Sequence, residues 1–256
     1  MSYSYWEGFV REWDAGTTAI LDWSDPSLIP LMNNVSAKTH AIDYIPEPWW
    51  GNDGSQPLHS VIINYNPGQG RSIQAKPTPY RNSYAFDIVN AKAFPKTARW
   101  HEQKRALPIL DSLCRQQYIK KGYSLQNHLS IELIPWHTSG ISADGYWKYV
   151  ADNIRPIFEH VLCFAADQAS RIANPKLKSI VLVRMSAASF DRIALLLNKV
   201  SIGTTCINGR ISVGSANYAE YSISCLPNTR FFPIWGATLR NNMPYVVDID
   251  GIINRL

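Results

Sequence analysis

Long apolar runs are missing from this chain. None of its 256 residues belongs to a stretch near the ~18 consecutive apolar residues that a membrane-spanning helix needs. Charge is sparse too, at 18 % of residues against a usual ~25 %. With 46 % hydrophobic residues, that balance excludes a highly charged disordered chain and leaves ample material for a core. Cysteine is scarce and scattered: Cys114, Cys163, Cys206 and Cys225 form no CxxC pair and no Cys/His cluster at zinc spacing. They read as reduced, mostly core thiols. The opening MSYSYWEGFVREWDAG sets Glu7 and Glu12 among aromatics, without the basic-then-apolar layout of a secretory leader, so the expectation is a soluble cytoplasmic protein. Also missing are a Gly-x-Ser-x-Gly elbow, a phosphate-cradling loop ending in Gly-Lys-Ser/Thr, a dinucleotide fingerprint and any repeat at fixed period.

What is present is aromatic and gently basic. Nine Trp, thirteen Tyr and eight Phe cluster in Pro- and Gly-containing stretches, where a stacking pocket would be built. The net charge of +5 is compatible with a polyanionic partner, although it is thinly spread.

Residues 1–57 read as an N-terminal wrap, with Trp6, Phe9, Val10 and Trp13 at helical spacing and prolines Pro46 and Pro48 opposing regular structure before Trp49-Trp50-Gly51-Asn52. Leu58 to Tyr65 is a β-branched run stopped by Asn66-Pro67-Gly68, which predicts a buried strand entering a loop. Leu129 to Ile134, stopped by Pro135-Trp136-His137, predicts a second strand, and Ser179 to Arg184 a third. Tyr221 to Cys225, stopped by Leu226-Pro227-Asn228, predicts a fourth. Helices are expected over Trp100 to Lys121, Ser142 to Ile172 with a break at Pro156, and Ser189 to Lys199. Asn208-Gly209 predicts a small hairpin through a type I′ turn. The expected fold is therefore α/β, a three-layer α/β/α arrangement around a mostly parallel four-stranded sheet, with a small β-hairpin added. No composition break divides the chain, which predicts one domain over 1–256.

In an open parallel sheet, ligands bind outside the carboxyl ends of the strands. Three of the four predicted strand ends carry a Pro-containing loop with short polar or aromatic residues. Asn64-Tyr65-Asn66-Pro67-Gly68, preceded by Trp49-Trp50-Gly51-Asn52 and followed by Pro135-Trp136-His137-Thr138, resembles the uracil-DNA glycosylase superfamily. The likeness is to a bacterial branch of it that carries an Asn-Pro-Gly motif, and it spans roughly residues 45 to 236.

The resemblance implies a DNA glycosylase that hydrolyses the N-glycosidic bond of a flipped, deaminated or modified base. Flipping is required because the glycosidic carbon is out of reach inside a duplex. It gives Asn66 the role of positioning the hydrolytic water, where the residues alone equally allow a turn-capping Asn. Pro67 and Gly68 would let the nucleotide approach closely, and Tyr65, Trp136 and Asn228 would help wall the base pocket. Glu132 falls where the family presents a base-reading Asn. A carboxylate there would accept from an exocyclic amine, the other reading being a partner for a basic neighbour such as Arg184. Leu226 stands where the family has a His, so His137 is the candidate donor to the leaving base. Arg71 and Arg230 are candidate phosphate contacts, and Phe231 and Phe232 candidate wedges into the base stack, or else buried packing. The resemblance implies no metal and no cofactor, and DNA as the partner; a monomer is favoured. The alternative is a catalytically inactive relative that keeps the pocket and only binds a nucleobase, nucleotide or modified nucleic acid.

Overall fold

The computed structural model describes residues 49–51, 57–65, 128–134, 143–213 and 216–236. Alternation of strand and helix over these residues builds one seven-stranded sheet in the order β1-β3-β2-β4-β7-β6-β5. Its strands are β1 (Trp49–Gly51), β2 (Ser60–Asn64), β3 (His128–Glu132), β4 (Ile180–Val183), β5 (Thr204–Val213), β6 (Ala216–Ile223) and β7 (Arg230–Gly236). The four central strands β3, β2, β4 and β7 are mutually parallel, while β1, β6 and β5 add antiparallel edges.

The centre of the sheet is the most apolar part of the sequence. Every residue of β2 and of β4 is buried, as the near-continuous Val/Ile/Leu runs of a parallel strand require when both faces are covered. The core extends from these strands into Tyr149, Phe164 and Phe190 on the helices and into Tyr218, Tyr221 and Phe231 on the strands beyond.

The described helices are α1 (Ala143–Asp152), α2 (Ile154–Ile157), a π-helical turn Phe158–Leu162, α3 (Cys163–Ala169) and α4 (Ala187–Lys199). Pro156 explains the break between α1 and α2, because it has no N–H to offer the carbonyl of Asp152. The backbone restarts at Asn153, whose own N–H and side-chain amide both donate to the Tyr149 carbonyl, at 3.0 and 2.9 Å. α3 packs on β2 and β4, and α2 packs on α4. Right-handed crossovers from β3 to β4 and from β4 to β7 move the same way across the sheet, which puts their helices on the same face.

α4 is punctuated at both ends. Ser186 is its N-cap, with Oγ accepting from the Ser189 N–H at 3.1 Å. Its C-terminus closes with Ser201 N–H on the Asn198 carbonyl and Ile202 N–H on the Leu197 carbonyl, at 3.1 and 2.9 Å. That is a Schellman motif with a serine at φ 66° in the left-handed position that glycine normally takes.

Several expectations need correction. Over the described residues the sheet has seven strands, and the hairpin belongs to it. Asn208-Gly209 is not a turn but lies inside β5, where two register shifts against β6 mark β-bulges. An extra residue on β5 at each shift goes unpaired and bends the strand, and pairing with β6 overrides the local turn preference. Trp49–Gly51, expected to be irregular, pairs antiparallel with β3, its Trp49 opposite Ile131. Of Tyr221 to Cys225, Tyr221 to Ile223 is the end of the antiparallel β6 and the rest is turn, and the fourth parallel strand is β7. Cysteines are less buried than expected: Cys206 and Cys225 are exposed and Cys163 is half-buried. The N-terminal wrap, the helix expected over Trp100 to Lys121 and Cys114 lie outside the described residues.

Candidate functional site

The strand order places a topological switch point at the centre of the sheet. From β2 the chain moves to β3 on one side, then from β3 to β4 on the other, which makes the carboxyl ends of β2 and β4 the switch point. Switch points of this kind are where open α/β sheets bind ligands. Backbone pairing continues past the strand ends, with Leu133 N–H on the Asn64 carbonyl at 2.8 Å, Ile134 N–H on the Tyr65 carbonyl at 3.1 Å and Arg184 N–H on the Ile63 carbonyl at 2.7 Å. Side chains leaving this edge are thus mounted on a rigid base.

Asn64 and Glu132 are direct register partners at the ends of β2 and β3, so their side chains leave the same face of the sheet. They are 7 % and 5 % exposed, and Asn64 Nδ2 donates to Glu132 Oε1 at 3.4 Å. A buried carboxylate beside a buried amide is costly to desolvate and is rare in a purely structural core.

Two tyrosines flank the pair. Tyr65 donates its hydroxyl to Ser189 Oγ at 2.8 Å, and Ser189 Oγ lies 2.9 Å from Ser186 Oγ, which links the end of β2 to the first turn of α4. Tyr146, on the first turn of α1, meets the Tyr65 ring edge-on, with centroids 5.4 Å apart. Its hydroxyl is buried and has no hydrogen-bond partner among the described residues. Burial lifts the Tyr146 hydroxyl well above its ordinary pKa, and the nearby Tyr65 and Glu132 push it the same way. Tyr65 is also raised, chiefly by burial, against the opposing pull of its bond to Ser189. Both phenols therefore stay protonated at neutral pH and act as hydrogen-bond donors. Beside Tyr146, Trp147 packs edge-on with centroids 5.1 Å apart, and the Arg192 guanidinium lies 5.2 Å from the Trp147 ring centroid.

Of the residues expected at this site, Tyr65 and Glu132 are together at the switch-point edge. Asn66, Pro67, Gly68, Arg71, Trp136 and His137 lie outside the described residues. Asn228 is not at this edge. It follows the antiparallel β6 and precedes β7, whose first residue Arg230 aligns with Ile180, the first residue of β4. Asn228 and Leu226 thus lie at the amino edge of the parallel strands, a strand length from Asn64. Arg230 sits there too, its N–H on the Ser179 carbonyl at 3.0 Å and its Nε 3.4 Å from Glu220 Oε1. Phe231 and Phe232 are 0 % and 1 % exposed inside β7, so they are core and not wedges. The reason is the run Phe231-Phe232-Pro233-Ile234, long and apolar enough to form the fourth parallel strand itself. The fourth strand's carboxyl end is accordingly Trp235-Gly236, and Leu226 no longer stands in a catalytic position.

Sequence reasoning passed over Asn64, Tyr146, Ser186 and Ser189. For Asn64 the signal was available: it and Glu132 are each the last polar residue closing an apolar strand, three residues before a proline. Tyr146 carried no such signal, because its partners Tyr65 and Glu132 are remote in sequence.

Among the described residues, no group of three or more His, Cys, Asp and Glu side chains is placed to hold a metal, and no helix is long and apolar enough to cross a membrane. Compared with family models, curated proteins and solved structures, the chain matches none of them.

Proposed function

We propose that this chain is a base-excision-type protein that takes a flipped nucleobase of DNA into the crevice at the switch point and hydrolyses its N-glycosidic bond. The observation that carries this reading is the buried polar group of Asn64, Glu132, Tyr65 and Tyr146 gathered at the carboxyl edge of β2 and β3. A heterocycle offers flat apolar faces for aromatic rings and a polar edge for a small number of donors and acceptors, and this group supplies both. In the sequence, Tyr65 and Glu132 come just before the Asn66-Pro67-Gly68 and Pro135-Trp136-His137 segments on which the glycosylase resemblance rests.

In this reading Asn66 orients a water whose oxygen bonds to the anomeric carbon as the carbon–nitrogen bond breaks. The base departs with the bonding electrons and accepts a proton, and His137 donates to the charge that develops on it. Arg71 is retained as a phosphate contact. Three layers follow in the same reading, since complete burial of β2 and β4 requires cover on both faces. So do a single domain, a cytoplasmic location and a monomeric state.

The test is release of free base from oligonucleotides carrying deaminated or modified bases, in single- and double-stranded form, followed by chromatography. Wild-type protein is expected to release base from at least one substrate, and Asn66→Ala to abolish that release. Intact substrates at high protein concentration, with oligonucleotide binding retained, would make the protein a binder and not a hydrolase.

A further inference from the structure

Glu132 and Tyr146 are both buried at the switch-point edge, and they offer opposite halves of a hydrogen-bond code. The carboxylate of Glu132 can only accept, and its orientation is held by the amide of Asn64 at 3.4 Å. The hydroxyl of Tyr146 is buried, held by ring packing on Tyr65, and makes no hydrogen bond to a described residue. A buried hydroxyl without a partner destabilises a folded protein, so it calls for an explanation. An acceptor beside a donor, against an aromatic ring, fits a heterocycle whose edge presents a donor beside an acceptor.

Building on the nucleobase reading above, we infer that Glu132 and Tyr146 select a base bearing an exocyclic amine next to a ring nitrogen, the edge of cytosine and adenine and of modified bases that keep it, so that of the two substrate classes above it is the modified and not the deaminated bases that fit. The amine donates to Glu132, and Tyr146 donates to the ring nitrogen. An imide base such as uracil or thymine is a poorer fit. Its single ring N–H is flanked on both sides by carbonyl oxygens, which bring negative partial charge against the carboxylate.

The experiment is ligand-observed NMR or calorimetric titration of the full chain with deoxycytidine, deoxyadenosine, deoxyuridine and thymidine. At least one amine-bearing nucleoside is expected to bind about tenfold or more tighter than both imide nucleosides. Glu132→Gln, whose amide can also donate, is expected to bring the two classes within about threefold of each other. Tyr146→Phe should weaken the preferred nucleoside roughly tenfold while leaving the melting temperature of the free protein unchanged or higher, since it removes only an unpartnered hydroxyl. A tyrosine with a purely structural role would lose stability and leave binding unmoved. Binding without a class preference, or a preference that survives Glu132→Gln in a folded protein, overturns this inference and leaves the nucleobase reading standing. If no nucleoside or base-containing oligonucleotide binds the folded wild-type protein, the nucleobase reading itself fails.

Discussion

Asn64→Ala should be more destabilising than an edge-of-strand substitution normally is, and the cost should depend on Glu132. Asn64 is 7 % exposed and Glu132 is 5 % exposed, so the amide-to-carboxylate bond between them is shielded from water. A hydrogen bond to a charged group contributes roughly 1.5–3 kcal/mol, and removing one partner of a buried pair forfeits it. Its length of 3.4 Å is at the long end of the useful range, which selects the lower figure of about 1.5 kcal/mol. For a chain of this size that corresponds to roughly 3–6 °C in melting temperature. Glu132→Met removes the acceptor while keeping a long unbranched side chain, and should cost a similar amount. Urea denaturation of wild type, both single variants and the double variant gives the coupling directly. The double variant should be less destabilised than the sum of the singles by about 1 kcal/mol, because each single variant already loses the one hydrogen bond they share. Additivity within about 0.3 kcal/mol would refute an energetically coupled pair, and with it the rigid polar floor of the crevice.

Three further outcomes are expected elsewhere in the molecule. Ser201→Gly should stabilise the protein by about 0.5–1 kcal/mol in thermal or urea unfolding, because Ser201 holds φ 66° at the end of α4, where a side chain is strained. Burial lowers the pKa of His160 from 6.5 to about 4. The unfolded chain therefore takes up this proton first as pH falls, and the stability His160 contributes is complete above about pH 6.5 and lost progressively down to about pH 4. Because the ring is only partly buried, the loss discounted for solvent is about 1–2 kcal/mol, read as the difference between wild-type and His160→Gln stability curves over that window. Thiol labelling at pH 8 followed by peptide mass spectrometry should modify exposed Cys206 and Cys225 well before Cys163, whose thiol burial pushes up to about 11.

The central strands were legible in the sequence because they are buried on both faces and so consist of short uninterrupted apolar runs ended by proline or a polar residue. Leu58 to Tyr65 and Ser179 to Arg184 contain the strand found there and Leu129 to Ile134 overlaps it, with boundaries off by one or two residues. The edges of the sheet were harder to read. β1 is three residues long and sits beside prolines, and β5 carries an Asn-Gly whose local preference for a turn is overridden by pairing with β6. The most consequential error was taking Tyr221 to Cys225 for the fourth parallel strand. A polar alternating run and a fully apolar run are separated by only five residues, and only the second, Phe231 to Ile234, has the pattern of a strand covered on both faces. That misassignment carried Asn228, Arg230 and Leu226 to the wrong edge. Glu132 and Tyr65 lie at the ends of β3 and β2, whose apolar runs are plain in the sequence, so their place at the carboxyl edge follows from it. Tyr146 was invisible because a helical aromatic looks the same whether it fills a core or lines a crevice.

The most direct measurement of where a base would sit is photo-crosslinking with an oligonucleotide carrying a halogenated or thio-substituted base, followed by mass spectrometry of the adducts. Adducts on the peptides containing Tyr65 and Tyr146, lost when free base is added in excess, are the predicted result. Adducts confined to the amino edge around Asn228 and Arg230, or to the outer face of β5, would contradict it.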